Sequence, residues 1–305
     1  MTSPQTSSPF PAVPAAIVLY KPERAILATL LTALDQAPRR IFLYINGPVG
    51  ADIDAVIAAL SNVRVIRMEH NVGLGAGMNA LADAAVAEGF SHLLLFDQDS
   101  TPEPYVPDAL ISHFIDFVNS GVRLAMLGPI LTTPSHENYV PIRYAWRDRR
   151  RGTVDFLPTS GSLLSLDAWR DVGPFRADYF IAGIDVEWGF RAWTHGYASL
   201  VDTSVQMDHR WGTGTSDEEN WKPQILRQSD FRNYFYVRNG VGCLRLPHIP
   251  ARWKLRFVLT LAVQMGLVFA SRGGGRSTQR IMRRAFADGW AGRFGPLPAE
   301  LAADQ

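Results

Sequence analysis

The sequence is poor in the features that define secreted and membrane-spanning proteins. Its 305 residues include one cysteine, Cys243, so no disulfide can form within the chain. A chain without disulfides suits a reducing compartment, and we expect a cytoplasmic protein. The apolar stretch Phe257–Ala270 has fourteen residues, whereas a helix needs about 20 to cross a bilayer. Residues 1–14 lack the basic and apolar segments of a signal peptide, and their Pro/Ser/Thr content predicts a flexible leader.

The small net charge of +1 hides an uneven distribution. Residues 245–305 carry ten Lys/Arg against three Asp/Glu, whereas residues 1–244 carry 20 basic and 26 acidic groups. A basic C-terminal segment on a mildly acidic body predicts an anionic surface as a partner. Nucleic acid is the other common partner of a basic tail, but the segment has no interleaved aromatic platform and no known binding motif.

The first third of the chain alternates between strand and helix patterns. An alternation of four βα units is typical of an α/β protein with a parallel, doubly wound sheet that binds a nucleotide at the carboxyl ends of its strands. The predicted strands are Ala15–Tyr20, Arg39–Pro48, Val63–Met68 and Leu93–Phe96, and the predicted helices are Arg24–Asp35, Asp52–Leu60 and Gly75–Gly89.

Two carboxylates follow the fourth predicted strand in the stretch LLLFDQDS, Leu93–Ser100. Because ligands bind beyond the carboxyl ends of parallel strands, Asp97 and Asp99 are candidate oxygen ligands for a divalent cation that handles phosphates. A lone D-x-D more often caps a helix or forms a turn.

The glycines of Asn71–Gly77 superficially resemble a dinucleotide-binding fingerprint. That fingerprint requires G-x-G-x-x-G directly after the first strand, but here Met78 occupies the third glycine position and the segment follows the third strand. A dehydrogenase is therefore disfavoured. A tight backbone turn before a helix N-terminus still suits contact with a phosphate or sugar, so the segment is a candidate ligand loop.

The order of the motifs resembles the family 2 inverting glycosyltransferases of GT-A fold, in particular their bacterial rhamnosyltransferase branch. The motifs that carry the resemblance are NVGLGAGMN, DQDS, TSGSLLS, VGPF, FIAGIDVEWGFR, MDHRWG and RNYFYVRN, between Asn71 and Asn239. The resemblance covers residues 15–240 and predicts a Rossmann-like, mostly parallel sheet. It implies a donor-binding half (15–127), an acceptor-binding half (128–240) and a basic helical C-terminal segment (241–305).

The resemblance also implies an activity and a set of site residues. The expected reaction is transfer of L-rhamnose from dTDP-rhamnose to a lipid-linked or oligosaccharide acceptor in polysaccharide assembly, with a polyprenyl diphosphate as the candidate lipid carrier. Asp185 is the expected general base, and Asp97, Asp99 and His209 are the expected ligands of Mg²⁺ or Mn²⁺. The expected donor contacts are Tyr20, Asn46, Asn71, Gly73, Asn79, Asp97, Arg232 and Arg238, and the expected acceptor contacts are Ser160, Gly161, Glu187 and Trp188.

Several of these residues have simpler explanations. His209 could be a surface histidine, Asp185 could cap a helix, and Glu187 could form an intrahelical ion pair with Arg191. An aromatic helix with arginines, such as Arg232–Asn239, is most often a core helix with solvated ends.

The sequence departs from the branch at two positions. Ala182 stands where an aspartate is expected, which leaves the acceptor contacts open. Ile45 precedes Asn46-Gly47 where relatives often carry an aspartate, which leaves the nucleotide base open.

The basic C-terminal segment has two interpretations. Basic and aromatic residues flank the apolar stretch, which suits a helix lying on the inner face of the cell membrane. The alternative is a helix buried against the catalytic domain or in a homodimer interface.

Two alternative functions can be distinguished from a glycosyltransferase. A sugar-1-phosphate nucleotidyltransferase would need a Gly-rich loop with Arg and Lys after the first strand, and Tyr20-Lys21-Pro22-Glu23 does not match. A non-catalytic membrane-associated scaffold would bind no donor.

Overall fold

A computed structural model of the chain describes residues 13–35, 39–135, 138–141, 144–208, 229–270 and 276–302. The predicted leader, apart from residues 13 and 14, lies outside these ranges, as does His209 with the three motif residues that follow it.

The ten strands of the described residues form one sheet in the order β3-β2-β1-β4-β9-β5-β10-β8-β7, with β6 paired to β5. The neighbours β3, β2, β1 and β4 are parallel, as the four predicted βα units require. Strand β9, which is antiparallel to both of its neighbours, then separates β4 from β5, and β10 is again parallel to β5. The strands are β1 Ala15–Leu19, β2 Ile41–Asn46, β3 Val63–Met68, β4 His92–Asp97, β5 Leu124–Ser135, β6 Asn138–Pro141, β7 Trp146–Asp148, β8 Thr153–Val154, β9 Ser162–Ser165 and β10 Ala198–Asp208.

Helices cover both faces of this sheet. Alternate residues of β1 point to opposite faces: Ala15, Ile17 and Leu19 join the core beneath α1, α2 and α4, whereas Ala16 joins the core beneath α3, α5 and α6. The helices are α1 Arg24–Leu34, α2 Ala51–Ala58, α3 Leu74–Ala87, α4 Val106–Asn119, α5 Leu166–Val172, α6 Ile184–Thr194, α7 Asp230–Cys243, α8 Ala251–Ala270, α9 Arg276–Ala291 and α10 Ala299–Ala302. The predicted doubly wound architecture is confirmed.

The C-terminal helices share a third core with α7. Phe257 and Leu261 of α8 and Ile281, Met282 and Ala285 of α9 are buried with residues of α7. Of the two interpretations of this segment, packing against the preceding domain is thus observed for one face of each helix. The boundary predicted after residue 240 falls inside α7, and the one predicted after residue 127 falls inside β5.

Two glycines permit this close packing. A Cβ atom on Gly240 would lie 2.1 Å from Cζ of Phe257, and one on Gly289 would lie 2.2 Å from the carbonyl oxygen of Arg238. Within the described ranges, no helix combines the length and hydropathy needed to cross a membrane.

Candidate active site

A cavity of about 460 Å³ opens at the carboxyl ends of β1, β2 and β4. This is the edge at which parallel α/β sheets bind ligands. Its polar lining includes Tyr20, Asn46, Asn71, Asp97, Gln98, Asp99, Thr159, Asp185 and Arg232. Seven of the predicted site residues therefore face one space: Tyr20, Asn46, Asn71, Asp97, Asp99, Asp185 and Arg232.

A hydrogen-bonded asparagine pair forms the wall at the end of β2. The Asn46 side chain donates to Oδ1 of Asn71 at 2.8 Å and accepts from the backbone amide of Val72 at 2.8 Å. Oδ1 of Asn71 also accepts from the amide of Gly73 at 2.9 Å. These bonds fix the turn before α3, so that both asparagines are held in place at the cavity.

Gln98, between the two acids, joins the ends of β1 and β4. Its Oε1 accepts from the amide of Tyr20 at 2.8 Å, and its Nε2 donates to the Tyr20 carbonyl oxygen at 3.1 Å. The D-x-D loop is therefore fastened to the strand beside it. Sequence analysis missed this residue, although its position in DQDS at a strand end was a usable signal.

Asp97 and Asp99 concentrate negative charge at the cavity. Burial, followed by the charge of Asp99, raises the pKa of Asp97 to about 7, while Arg232 acts in the opposite direction. Carboxylate oxygens are ligands that Mg²⁺ and Mn²⁺ accept, so the donor set fits the predicted metal. Among the described residues no group of three or more His, Cys, Asp or Glu side chains could hold an ion.

The end of β10 lies beside the D-x-D loop. Asp208, the last described residue of β10, forms a bridge with Thr101, and Oδ1 of Asp208 accepts from the Thr132 hydroxyl at 2.9 Å. His209 follows Asp208 directly in the sequence.

Asp185 is the second residue of α6 and faces the same cavity. The helix N-cap is Gly183, so the simple explanation of Asp185 as the N-cap does not hold. Burial raises its pKa to about 6, against the lowering effect of backbone amides at Val186 and Asp185, and the charge of Asp97 adds to the increase. A carboxylate with such a pKa is ionised at neutral pH and is more basic than an exposed aspartate, as a general base requires.

The loop before α6, residues 180–183, which we call the catalytic loop, forms another part of the lining. Phe180, Ala182 and Gly183 adopt positive φ angles of 65°, 66° and 74°. This geometry was not predictable from the sequence, because Phe and Ala rarely adopt positive φ.

Three predicted contacts are buried away from the cavity. Both carboxylate oxygens of Glu187 accept from Arg191, at 3.0 and 2.9 Å, and Nε2 of His248 lies 2.9 Å from Oε1. Trp188 is fully buried and donates to the carbonyl oxygen of Gly173. Arg238 is fully buried and donates to backbone carbonyl groups. Glu187, Trp188 and Arg238 are thus not among the residues that line the cavity.

Four more predicted contacts support the cavity without lining it. A Cβ on Gly73 would lie 2.8 Å from Cα of Phe180, and one on Gly161 would lie 2.6 Å from Cε of Met207. Asn79 bonds both the amide and the carbonyl group of Phe175 at 2.9 Å. Ser160 is buried with its hydroxyl 2.7 Å from that of Ser100, whereas the adjacent Thr159 lines the cavity.

With this geometry established, similarity to known proteins can be considered. Residues 15–161 match the model of glycosyl transferase family 2. This part of the chain is a family 2 glycosyltransferase domain. The match includes the D-x-D loop and the asparagine pair, whereas Asp185 and α7 lie beyond it.

Proteins similar over most of the chain are also glycosyltransferases. The chain is 24% identical over 269 residues to the dTDP-rhamnosyl transferase RfbF of Shigella flexneri, covering 85% of this chain and 88% of that protein. The crystal structure of S. aureus TarS 1–349 superposes with a TM-score of 0.57 at 14% identity, covering 91% of this chain and 80% of TarS 1–349. The same region of TarS in complex with UDP-GlcNAc gives a TM-score of 0.51 at 15% identity, with 95% and 83% coverage. The TarS structures support the GT-A-like fold of the glycosyltransferase.

Proposed function

We propose that the chain transfers L-rhamnose from dTDP-rhamnose to a hydroxyl group of a glycan acceptor, with inversion at the anomeric carbon. The observation that carries the proposal is that Asp97, Asp99 and Asp185 line one cavity at the carboxyl edge of the sheet. The choice of rhamnose is supported by the similarity to RfbF.

In the proposed reaction Asp185 accepts the proton of the acceptor hydroxyl. The oxygen of that hydroxyl forms a bond to the anomeric carbon, the bond from this carbon to the diphosphate oxygen breaks, and the electron pair leaves with the nucleoside diphosphate. Arg232 lines the same cavity and is suited to a diphosphate, because a guanidinium group donates in a fork to phosphate oxygens. The wall formed by Asn46, Asn71 and Tyr20 orients the donor.

The residues that would hold a metal ion are Asp97, Asp99 and His209. Two of them are at the cavity, and the third follows Asp208, which pairs beside the D-x-D loop. A bound Mg²⁺ or Mn²⁺ supplies positive charge that stabilises the leaving diphosphate.

A donor screen tests this function. We expect dTDP-rhamnose with Mn²⁺ to raise the thermal midpoint of the protein more than UDP-GlcNAc does, and an Asp99→Ala variant to lose that difference. Stabilisation by a UDP-sugar alone would show that the donor is this UDP-sugar and not dTDP-rhamnose. Formation of a nucleotide sugar from a sugar-1-phosphate would indicate a nucleotidyltransferase. If no nucleotide sugar binds, the chain is a non-catalytic scaffold.

We further propose that the protein lies on the inner face of the cell membrane and acts on a lipid-linked acceptor. The support is the outward face of α8, where Leu255, Leu259 and Val263 are 62%, 59% and 64% exposed. These residues are spaced about one turn apart, and α8 contains Arg252, Lys254 and Arg256 but no acidic residue. An apolar stripe beside cations suits an anionic bilayer surface, where each Lys or Arg adds about 1 kcal/mol.

The basic residues of α9 are not equivalent in this respect. Arg284 donates to the buried carboxylate of Asp288 at 2.7 Å and also pairs with Glu300. Substituting Arg284 would therefore disturb the packing of α9, and a charge test should be confined to Arg280 and Arg283, which are exposed.

Flotation with liposomes of phosphatidylglycerol and phosphatidylcholine tests the membrane surface. We expect Leu259→Ser/Val263→Ser to abolish flotation, while Val118→Ser, which alters a 46% exposed residue of α4, leaves it unchanged. No flotation of the unaltered protein at low salt contradicts the proposal. A homodimer buried on the same face would appear instead as a mass change in light scattering.

A further inference from the structure

The catalytic loop holds a strained backbone at the point where the chain reaches Asp185. Residues with a Cβ rarely adopt a positive φ, and Phe180 and Ala182 both do, with φ of 65° and 66°. Such conformations persist only where surrounding contacts hold them. The contacts that hold this loop therefore contribute to the shape of the site.

One side of the loop is held by the side chain of Asn239, which is buried in α7. Its Nδ2 lies 3.0 Å from the carbonyl oxygen of Tyr179, 2.9 Å from that of Ile181 and 2.8 Å from that of Ala182. A single side-chain amide thus contacts three backbone carbonyl groups within residues 179–182.

Arg238 orients that amide group and extends the network. Its Nε donates to Oδ1 of Asn239 at 2.9 Å, which fixes the side-chain amide with its nitrogen toward the loop. Its Nη2 donates to the carbonyl oxygen of Tyr179 at 2.9 Å, and its Nη1 donates to that of Gly295 at 2.6 Å. The guanidinium group is therefore shared between Tyr179, directly before the catalytic loop, and the turn that follows α9.

The donor side of the cavity holds the same loop from the opposite direction. The amide of Leu74, at the start of α3, donates to the carbonyl oxygen of Phe180 at 2.6 Å. The Phe180 ring stacks on Phe235 of α7, with ring centroids 5.1 Å apart and an angle of 13° between the planes.

From these contacts we propose that Arg238 and Asn239 are positioning residues that set the place of Asp185. They act through the backbone of the catalytic loop and do not touch the substrate, and the turn at Gly295 is the third member of the network. The role in catalysis rests on the proposed function of Asp185 as the base.

The expected effect follows from the geometry of proton transfer. A base that is displaced by about 1 Å can lose roughly 100-fold in rate. The donor is held by other residues, namely Tyr20, Asn46 and Asn71. Loss of Asn239 should therefore lower kcat and leave donor affinity intact, whereas loss of a donor contact would weaken binding.

The experiment compares Asn239→Ala with Thr278→Val in the full-length chain. The hydroxyl of Thr278 in α9 donates to Asp230 of α7 at 3.2 Å, and this contact includes neither Arg238 nor Asn239 nor the loop. Both variants lose hydrogen bonds of α7, so Thr278→Val controls for a general loss of stability. The measurements are kcat, the dissociation constant of the donor, and hydrogen exchange of the backbone amides of residues 179–185.

We expect Asn239→Ala to lower kcat about 10- to 100-fold and to accelerate amide exchange in residues 179–185. Thr278→Val should lower the thermal midpoint without either effect. Arg238→Lys keeps a cationic donor but loses the fork, and it should fall between the unaltered protein and Arg238→Ala in kcat at an unchanged donor dissociation constant.

Three results would overturn the proposal. One is unchanged amide exchange in Asn239→Ala, which would show that Asn239 does not hold the catalytic loop, whether or not the protein transfers rhamnose. Another is accelerated exchange with unchanged kcat, which would show that the position of the loop does not affect the transfer reaction. The third is a raised donor dissociation constant as the main effect of Arg238→Lys, which would indicate that Arg238 binds the donor. If the unaltered protein transfers no sugar, the exchange measurement decides the structural claim alone.

Discussion

Asp97 and Asp185 line the same cavity, and the negative charge of Asp97 adds to the effect of burial in raising the pKa of Asp185 to about 6. The two carboxyl groups belong to different elements, β4 and α6. Their electrostatic coupling joins the proposed donor side of the site to the proposed base.

The first prediction concerns the pH dependence of turnover. Because Asp185 must be ionised to accept a proton, kcat should fall tenfold for each unit of pH below about 6. The measurement is kcat between pH 4.5 and 8 at saturating donor. A pH-independent kcat across this range would contradict the assignment of the base.

The second prediction concerns the identity of the base. Asp185→Asn keeps the size of the side chain but cannot accept the proton, so kcat should fall by roughly 10²–10⁴ with donor binding nearly intact. Single-turnover kinetics and donor titration measure the two effects. Loss of donor binding instead would mean that Asp185 is structural.

The third prediction separates Glu187 from the chemistry. Glu187→Ala leaves Arg191 without its carboxylate partner in a buried site, and removing one member of a buried ion pair costs about 3–5 kcal/mol. We expect a lower midpoint in urea denaturation, with kcat of the remaining folded protein near that of the unaltered protein. A large loss of kcat at full stability would restore Glu187 as a site residue.

The fourth prediction concerns metal dependence. Asp99→Ala should remove metal-dependent donor binding, and Asp99→Asn should weaken it less because an amide oxygen is still a ligand. Isothermal titration of donor with and without Mn²⁺ measures this. Equal donor affinity and turnover in Asp99→Ala and the unaltered protein would contradict the assignment of the metal site.

The fifth prediction concerns stability in the absence of ligands. The pKa of Asp97 is about 7 in the fold against 3.8 in a model compound, so the folded protein binds this proton more tightly than the unfolded chain does. The stabilising contribution is fully present below pH 3.8 and is lost as pH rises through 7. Asp97→Asn should therefore raise the thermal midpoint at pH 8, and the gain should shrink toward pH 4. A lower midpoint for this variant at pH 8 would contradict the argument.

The donor side of the site followed from a simple rule about strand ends. Buried strands that stop at Asn46 and Asp97 place these side chains at one edge of a parallel sheet, which the alternating pattern was sufficient to predict. The inserted antiparallel strand β9 was not predicted, because its four-residue apolar pattern at Ser162–Ser165 does not specify the direction of pairing.

Helix geometry explains why the predicted residues of the other half divide between the cavity and the core. Arg232 and Arg238 are six residues apart on α7, so their side chains point roughly 120° apart; one faces the cavity, and the other is buried. Asp185 and Glu187 are two residues apart and lie on nearly opposite sides of α6. The positive φ angles of Phe180 and Ala182 could not have been predicted, because tertiary contacts impose them.

The hydrogen bond from Arg238 to the Gly295 carbonyl group bears on how this enzyme can be re-engineered. Exchanging residues 244–305 for the C-terminal segment of another glycosyltransferase is an obvious way to redirect the protein to a different acceptor. Such a chimera would have to present a backbone acceptor at the place of Gly295 and a residue as small as Gly289 against α7. A segment chosen for its acceptor alone would lose this hydrogen bond and leave Asp185, the proposed base, out of position. The C-terminal segment must therefore be transferred together with α7 as one module.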